Sequence, residues 1–463
     1  MSTDDKKPPV LSNLDEANEV IAALWQEIQD LKDRLNQNSG NSSKPPSSDG
    51  PGAKPRKRKS SGRQRGAQPG HKGSRRQLHQ QVDQTVTYYP SAQCSCGADI
   101  RMSEAPFRRH QVFNLPETAY TVTEHQLYQG CCPRCGKRHQ ASLPETVSDT
   151  QMGPNLLAYI AVQAGQFHQS IDKIRLQLSQ NFGLAFSRGA ISEAQWRMTS
   201  MLTPAHQAIK QYLRQVPVRF ADETRHQRGS ERRWMWVMSC PEAACFMTDA
   251  SRGQQAAKRL LGDIPEGITV SDQYVGYHFI DPSKRQLCWA HLLRNINALA
   301  ESSGPPDRRI GRKLLFCIDL VFRTRQRFED GGLTRDRYLR RMHRVRQRWH
   351  QLLEQASREC LIKRYRNRCA KLLRESQQCW TFLEHDDVPL TNNEAERVLR
   401  GYVLWRKGSY GVCSHRGEQF RQRVLSLVET AKKLKLNSLA WAREIARACI
   451  EKTAYPIPAA LTR

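Results

Sequence analysis

Five short segments decide the fold of this chain, namely VRFAD (218–222), RRWMWVMSC (232–240), ACFMTD (244–249), GITVSD (267–272) and RQLCW (285–289). They are rich in β-branched and aromatic residues and are bounded by Gly, Pro, Ser or Asp, which is typical of strands. The last one leads into HLLRNINALAE, whose apolar residues repeat with a helical period. The stretch 216–300 therefore predicts an α/β core in which GITVSD is the fourth strand.

Helical sequence surrounds this core on both sides. Residues 301–387 are Arg-rich and helical, as in RDRYLRRMHRVRQRWHQLLEQ, and predict an all-helical insertion, after which the core resumes over 388–463. Upstream, residues 148–215 predict a helical DNA-binding region, with one helix starting at Ser192. A chain of 463 residues is too long for one core, so several domains are expected.

The N-terminus carries a heptad pattern over residues 11–36. Apolar side chains recur at alternating steps of three and four, which predicts a coiled coil and a homodimer or higher oligomer; they are Leu14, Ala17, Ile21, Leu24, Ile28, Leu31 and Leu35. The alternative is an amphipathic helix packed on its own domain. Residues 37–81 then have the composition of a disordered linker.

This linker contains a basic arm with no acidic residue between positions 54 and 76. Its cations include Lys54, Arg56, Lys57, Arg58, Lys59, Arg63 and Arg65. Such an arm can neutralise several phosphates of double-stranded DNA, and the formal charge of +28 favours a polyanionic partner for the whole chain. The alternative is a solvated basic tail. The sequence has no apolar stretch long enough for a membrane span and no signal peptide, so a cytoplasmic protein without a membrane partner is expected.

Two close cysteine pairs predict a structural zinc site within a small β module over residues 82–147. Cys94 and Cys96 form one pair, and Cys132 and Cys135 form the other in a CPxCG turn, with 35 residues between Cys96 and Cys132. Two thiolate pairs complete a tetrahedral Zn²⁺ shell, and a small module with little apolar content needs the metal to fold. Runs such as VTYY, HQVF and YTVTEHQLY predict strands around the pairs.

Three carboxylates are candidates for a catalytic metal site. Asp222 follows VRFA and Asp272 ends the fourth strand, and in a ribonuclease-H-like sheet the first and fourth strands are neighbours. Neighbouring carboxylates can hold Mg²⁺ or Mn²⁺, and a third from a nearby helix completes a two-metal site for phosphoryl transfer. The alternative is three unrelated surface acids.

The third carboxylate is chosen from two in TNNEAERVLR. Thr391 and Glu394 have capping-box spacing, which predicts that Glu394 reaches back to the helix start and leaves Glu396 facing the sheet. Nearby cations can bind DNA phosphates, with an ion pair between Arg400 and Glu396 as the alternative; they are Arg397, Arg400, Arg406 and Lys407. His291 in CWAH is left out of the catalytic set because a lone His more often has a structural role.

Taken in order, six motifs resemble the transposases of the insertion sequence 66 family: GAQPGHKG, CPRCG, ADET, SDQYVGY, CWAHLLRN and TNNEAERVLRGYVLWRKGSYG. The resemblance implies a DDE catalytic core of ribonuclease-H-like fold, with Asp222, Asp272 and Glu396 as its acidic residues. It also implies a leucine zipper, a zinc module and a helical insertion. Gln273 and Thr391 depart from the family pattern, which usually has Gly and Asp there, but neither change removes a metal ligand.

The sequence thus predicts a DNA transposase that cleaves at element ends and transfers the strand into target DNA, with accessory proteins allowed for as further partners. Two other functions stay open. A zinc-containing DNA-binding regulator with an inactive core would bind DNA without cutting it. A metal-dependent nuclease would hydrolyse DNA without rejoining it.

Overall fold

The computed structural model describes residues 13–42 and 138–462, together with separate short stretches between residues 78 and 135. The chain divides into two compact units, one formed by residues 55–124 and the other by the remainder. Within the described ranges, no helix combines the length and the apolar character that crossing a bilayer requires.

The helix predicted by the heptad pattern is present as α1 (Leu14–Leu35). The large apolar residues of its seam are exposed to solvent, with exposed fractions between 43% and 85%. They are Leu14, Ile21, Leu24, Ile28, Leu31 and Leu35. A polar side chain on another face joins α1 to the rest of its unit. Buried Asp33 accepts hydrogen bonds from the Ser302 hydroxyl at 2.9 Å and from the Tyr365 hydroxyl at 3.1 Å.

The first residues of the predicted linker, 37–42, are among those that the structure describes. Residues 37–42 form turns, and Asn41 is buried, with its amide donating to a Glu301 carboxylate oxygen at 2.8 Å. The Gly40 carbonyl accepts a hydrogen bond from Asn297. The polar composition of this segment suggested disorder, but its amide groups are used in tertiary hydrogen bonds.

The strands predicted around the cysteines are only partly correct. The described residues of this region form one short antiparallel hairpin, β1 (Gln129–Cys131) and β2 (Arg138–Gln140). The described residues of VTYY, HQVF and YTVTEHQLY are not in strands. Alternating apolar residues predicted strands there, but these side chains are exposed, as Tyr88 and Val122 illustrate.

The helical region upstream of the sheet is present as four helices: α2 (Pro154–Gly165), α3 (Ile171–Phe182), α4 (Arg188–Met201) and α5 (Thr203–Gln215). The predicted helix start at Ser192 is wrong. Helix α4 begins one turn earlier, because the Ser187 hydroxyl accepts a hydrogen bond from the Ala190 amide at 3.1 Å and caps the helix.

The five predicted strands form one mixed sheet: β3 (Val218–Arg228), β4 (Glu231–Ser239), β5 (Ala244–Asp249), β6 (Ile268–Ser271) and β7 (Arg285–Leu287). Their order is β5-β4-β3-β6-β7, with β3, β4 and β5 antiparallel and β3, β6 and β7 parallel. The first and fourth strands of the sheet are therefore neighbours, as expected. Strand β3 is longer than expected and contains Asp222 well inside it. Helices α6 (Gln254–Leu261) and α7 (Trp289–Ala300) follow β5 and β7.

After α7 the described chain forms six further α-helices joined by loops. They are α8 (Pro305–Glu329), α9 (Arg335–Glu359), α10 (Lys363–Arg374), α11 (Asn393–Ser409), α12 (His415–Lys433) and α13 (Ser438–Glu451). Trp289, at the start of α7, packs the long helices against the end of the sheet. Its ring packs against Trp349 of α9 and against Trp380, with centroid distances of 5.4 and 5.0 Å.

Helix α12 covers the open edge of the sheet at β5. The amides of Ala244, Phe246 and Thr248 donate to side-chain oxygens at 3.1, 2.9 and 3.0 Å. Their acceptors are Thr430, Ser426 and Gln422, which lie one turn apart along α12. Every second residue of an edge strand presents an unpaired amide. Acceptors spaced four residues apart on α12 match amides spaced two residues apart on β5, so α12 satisfies the hydrogen bonds of this edge.

Candidate active site

Asp222 and Asp272 lie side by side on neighbouring strands. The parallel register pairs Val218 with Ile268 and Phe220 with Val270, so that the two aspartates stand two residues beyond the last of these pairs. The Asp222 carboxylate accepts a hydrogen bond from the Glu223 amide at 2.9 Å, and the Asp272 carboxylate accepts one from the Tyr274 amide at 2.9 Å. A backbone amide thus orients one oxygen of each carboxylate.

Asn392 brings the third carboxylate to the same place. Its side-chain amide donates to the Ala221 carbonyl at 2.9 Å, directly beside Asp222, and its backbone amide donates to the Cys288 sulfur at 3.1 Å. Helix α11 starts at the next residue, and Glu396 lies one turn along it. The structure therefore brings Asp222, Asp272 and Glu396 together from three separate segments.

The predicted role of Glu394 is wrong. The N-cap of α11 is Asn392 rather than Thr391, so the capping-box spacing does not apply. Glu394 instead accepts hydrogen bonds from Lys433 of α12 and from Arg397, the latter at 3.0 Å. The preference for Glu396 over Glu394 as the residue near the sheet nevertheless agrees with the geometry.

Asp222 lies among other carboxylates, and none of the cations in the described residues forms an ion pair with it. Burial raises the pKa of this carboxyl well above its usual range, and the nearby charges of Glu223, Asp272 and Glu396 raise it further. A hard divalent cation such as Mg²⁺ prefers oxygen ligands and would remove this repulsion. The donor set of three carboxylates fits such a cation.

His291 and Arg294 of α7 form the other wall of the site, and neither was in the predicted set. The Arg294 guanidinium lies 3.5 Å from the Glu396 carboxylate, and His291 Nδ1 lies 3.6 Å from Oε1 of Glu396. In the described structure both Nδ1 and Oε1 are buried and make no hydrogen bond. Burial, followed by the Arg294 charge, lowers the pKa of His291, which favours the neutral form of its ring.

Cys288, His291 and Glu396 place donor atoms within 4.8 Å of one another. The Cys288 sulfur accepts the Asn392 amide hydrogen bond and thereby holds the start of α11. Burial raises the pKa of its thiol to about 11. A metal binds cysteine as the thiolate, and Mg²⁺ prefers oxygen ligands, so the three carboxylates suit Mg²⁺ better than this set.

A fourth carboxylate adjoins the site but is already paired. Glu223 is buried, and its two oxygens accept hydrogen bonds from Arg252 at 2.7 Å and from the Tyr277 hydroxyl at 2.7 Å. Glu223 was not singled out from the sequence, because nothing in ADET distinguishes a paired carboxylate from a free one. Its contacts support the loop that follows Asp272.

The cations near Glu396 differ in their surroundings. Arg406 donates to the Arg225 carbonyl and to the Thr224 hydroxyl, which fixes it against β3, and Arg397 pairs with Glu394. Arg400 and Lys407 are exposed, and no ion pair involves either among the described residues. The alternative of an ion pair between Arg400 and Glu396 is therefore wrong, since Arg294 takes that place.

Several predicted positions lie outside the described residues. They are Cys94 and Cys132 of the zinc pairs and the arm residues Lys54, Arg56, Lys57, Arg58, Lys59, Arg63 and Arg65. Of the four cysteines in the predicted zinc pairs, the structure describes Cys96 and Cys135. Both are exposed free thiols, and they belong to different compact units. The zinc site and the arm stay predictions.

We expect Asp222→Asn to stabilise the metal-free protein. Because the pKa of Asp222 is raised in the folded state, the folded protein holds a proton on this carboxyl more tightly than the unfolded chain does. The protonated carboxyl therefore contributes stability at low pH, and this contribution is lost as pH rises through the raised pKa. Asn removes the charge, so the melting midpoint in EDTA should rise by roughly 2–4 °C at pH 7, and by much less at pH 4. Mn²⁺ should raise the midpoint of the unmodified protein more than that of the variant.

The matched control for this measurement is Asp263→Asn, since the Asp263 carboxylate is exposed, with 86% of its side-chain surface accessible. This change should leave the midpoint and its metal response unaltered. A lower midpoint for Asp222→Asn in EDTA at pH 7 would contradict the charge-repulsion account.

Comparison with known proteins identifies the class to which this fold and site belong. The sequence pattern of the Transposase IS66 family matches residues 149–419, which is more than half of the 463 residues. The chain therefore belongs to this family. Residues 6–77 match a second pattern, described as a family of unknown function (DUF6444).

Curated relatives come from Sinorhizobium fredii. Uncharacterized protein y4jD is 23% identical over 342 residues, covering 66% of this chain and 64% of the relative. Uncharacterized protein y4hP is 22% identical over 394 residues, covering 78% of this chain and 71% of the relative. A shorter match to uncharacterized protein y4jO is 40% identical over 68 residues. The chain thus spans slightly less than two thirds of the length of y4jD.

Proposed function

We propose that this chain is a DNA transposase that cleaves DNA at element ends and transfers the freed strand into target DNA. The observation that carries the proposal is the convergence of Asp222, Asp272 and Glu396, together with the unbalanced negative charge at Asp222. Membership of the Transposase IS66 family supports DNA as the substrate.

The catalytic core is of the ribonuclease-H-like type in this proposal. Three antiparallel strands followed by two parallel ones, with the first and fourth adjacent, support that assignment. The third carboxylate arrives on α11 after the helical segment formed by α8, α9 and α10. The domain limits predicted from the sequence are kept as part of the proposal.

Asp222, Asp272 and Glu396 would hold two Mg²⁺ or Mn²⁺ ions, which activate the attacking oxygen and stabilise the leaving one in an in-line phosphoryl displacement. The chain's own groups orient this site. Backbone amides fix Asp222 and Asp272, Asn392 fixes the start of α11, and Arg294 holds Glu396. Exposed Arg400 and Lys407 lie on the same helix as Glu396, where they can bind DNA phosphates.

Two further parts belong to the proposal. The exposed apolar seam of α1 supports self-association into a dimer or larger assembly, since a single coiled-coil helix leaves its seam in water. Cys94, Cys96, Cys132 and Cys135 would hold a structural Zn²⁺, and the basic arm would bind the DNA backbone.

The test uses the full chain with labelled DNA carrying the element ends and a supercoiled target plasmid. With Mg²⁺ or Mn²⁺ we expect cleaved ends bearing a 3′-hydroxyl and products joined to the plasmid, and with EDTA neither. Cleavage without joined products would replace the proposal with a nuclease. Binding without cleavage in either metal would favour a zinc-containing DNA-binding regulator.

A further inference from the structure

A groove runs along the surface between α8 and α9, away from the carboxylates. The two helices form an antiparallel hairpin joined by residues 330–334, and the groove between them has a volume of about 560 Å³. Its walls carry four cations and five apolar side chains: Arg312, Lys313, Arg344, Arg348, Phe316, Cys317, Leu320, Val345 and Leu352. None of the three site carboxylates lines it.

The charge of this groove is wholly positive. No acidic residue is among its lining residues, and none of the four lining cations makes an ion pair within the described ranges. Arg344 and Arg348 are one turn apart, and Arg337 and Arg341 continue the same exposed stripe along α9. The nearby acid Asp319 is occupied by Arg323 at 2.9 Å. The groove therefore attracts an anion.

Phe316 gives the groove an aromatic surface. Its side chain is 61% exposed, although it lies beside Cys317 and Leu320 on a helix whose other apolar residues are mostly buried. An exposed aromatic ring flanked by arginines is the arrangement with which proteins bind unpaired nucleic acid, because each base offers a flat apolar face and each phosphate a negative charge. In duplex DNA the base faces are stacked on one another, so a duplex offers no free base face to Phe316.

We propose that the α8–α9 groove binds an unpaired DNA strand, with a base stacked on Phe316 and phosphates held by Arg312, Lys313, Arg344 and Arg348. The inference rests on the proposed function only for the source of the strand, which is DNA opened or released at the cleaved end. Binding itself requires no cleavage.

Helix α8, which lines the groove, packs closely against α7. Gly311 of α8 lies so near α7 that an added Cβ would stand 2.4 Å from the Ala300 amide nitrogen. Buried Asp307 of α8 accepts hydrogen bonds from the Leu361 and Ile362 amides at 2.7 and 3.1 Å. His291 and Arg294 lie on α7, so the helix that lines the groove contacts the helix that forms one wall of the candidate site.

The experiment measures fluorescence anisotropy of a labelled oligothymidine strand, and of a duplex of equal length, with the full chain in EDTA so that no cleavage occurs. Phe316→Ala should weaken single-strand binding by roughly tenfold or more and leave duplex binding within about twofold. Arg344→Glu combined with Arg348→Glu should weaken single-strand binding further and reduce its salt dependence.

Two matched variants serve as controls. Phe167→Ala removes an aromatic ring that is 57% exposed elsewhere in the chain, and Arg443→Glu combined with Arg447→Glu makes the same charge change on α13. Neither should alter the preference for the single strand. Thermal melting confirms that each variant is folded.

Equal single-strand affinity in Phe316→Ala and Phe167→Ala would overturn the proposal. Parallel weakening of single-strand and duplex binding by the groove variants would also overturn it, and would assign the groove to the duplex backbone. If the double arginine variant does not fold, photocrosslinking of a halogenated strand decides. A crosslink within α8 or α9 supports the proposal, and crosslinks elsewhere alone reject it. Because these readouts need no cleavage, a failed cleavage assay leaves them intact.

Discussion

Replacing Asp272 by Asn is expected to lower the rate of DNA strand cleavage by about 10³-fold or more, while DNA affinity stays within about twofold. Asn keeps the shape of the side chain and the hydrogen bond from the Tyr274 amide but removes the charge that holds a divalent cation. Asp222→Asn and Glu396→Gln should behave in the same way. The measurement is a time course on labelled element-end DNA with Mn²⁺ or Mg²⁺.

Two aspartates outside the proposed metal site, exposed Asp263 and buried Asp249, serve as controls for this series. Asp263 is exposed, so Asp263→Asn should retain full cleavage. Asp249 is buried and paired with Arg259, so Asp249→Asn should lower stability and spare the chemistry of the protein that remains folded. Cleavage retained by Asp222→Asn, Asp272→Asn or Glu396→Gln would remove that residue from the proposed metal site.

The second large effect is expected at Glu418 on α12. Its carboxylate is fully buried and accepts hydrogen bonds at 3.0 Å from Arg228 and from Arg233, which belong to β3 and β4. The adjacent His226 does not compete for this charge, because burial and the surrounding arginines lower its pKa to about 3. Glu418 is therefore the buried counter-charge for both arginines, whose other acidic partner, Glu231, is solvent-exposed.

We expect Glu418→Gln to reduce the free energy of unfolding by about 3 kcal/mol, since it removes the buried counter-charge and leaves Arg228 and Arg233 only the solvent-exposed Glu231. Urea denaturation followed by circular dichroism measures the loss. The control is Glu193→Gln, whose partner Arg416 lies at 2.7 Å but in a solvent-exposed pair worth about 0–1 kcal/mol. A loss at Glu418 no larger than at Glu193 would show that the buried pair is not needed for stability.

The sequence predicted the parts of the site that follow from strand order. Asp222 and Asp272 could be placed side by side because the first and fourth strands were expected to be neighbours, and a parallel register then leaves little freedom. Glu396 was placed near the sheet for an incorrect reason. The start of α11 is fixed by the tertiary hydrogen bond from Asn392 to Ala221, which local capping rules cannot anticipate.

Arg294 and Glu223 were missed, and His291 was left out, for a different reason. Their importance depends on which way a helix or strand is rotated, and that rotation is set by packing between distant segments, such as Trp289 against Trp349 and Trp380. The same holds for Asn41, whose polar neighbours suggested disorder. A pattern of residue types indicates what a segment can form, while its hydrogen-bond partners depend on the completed fold.

The wide separation of the site residues along the chain has a consequence for synthesis on the ribosome. Glu396 is translated 124 residues after Asp272, which at elongation rates of about 5–20 residues per second corresponds to a delay of roughly 6–25 s. The segment 54–76 and the helices before the sheet emerge long before this last carboxylate does. Under the proposed function, a nascent or prematurely terminated chain would therefore lack the third carboxylate of the metal site and would be unable to cleave DNA.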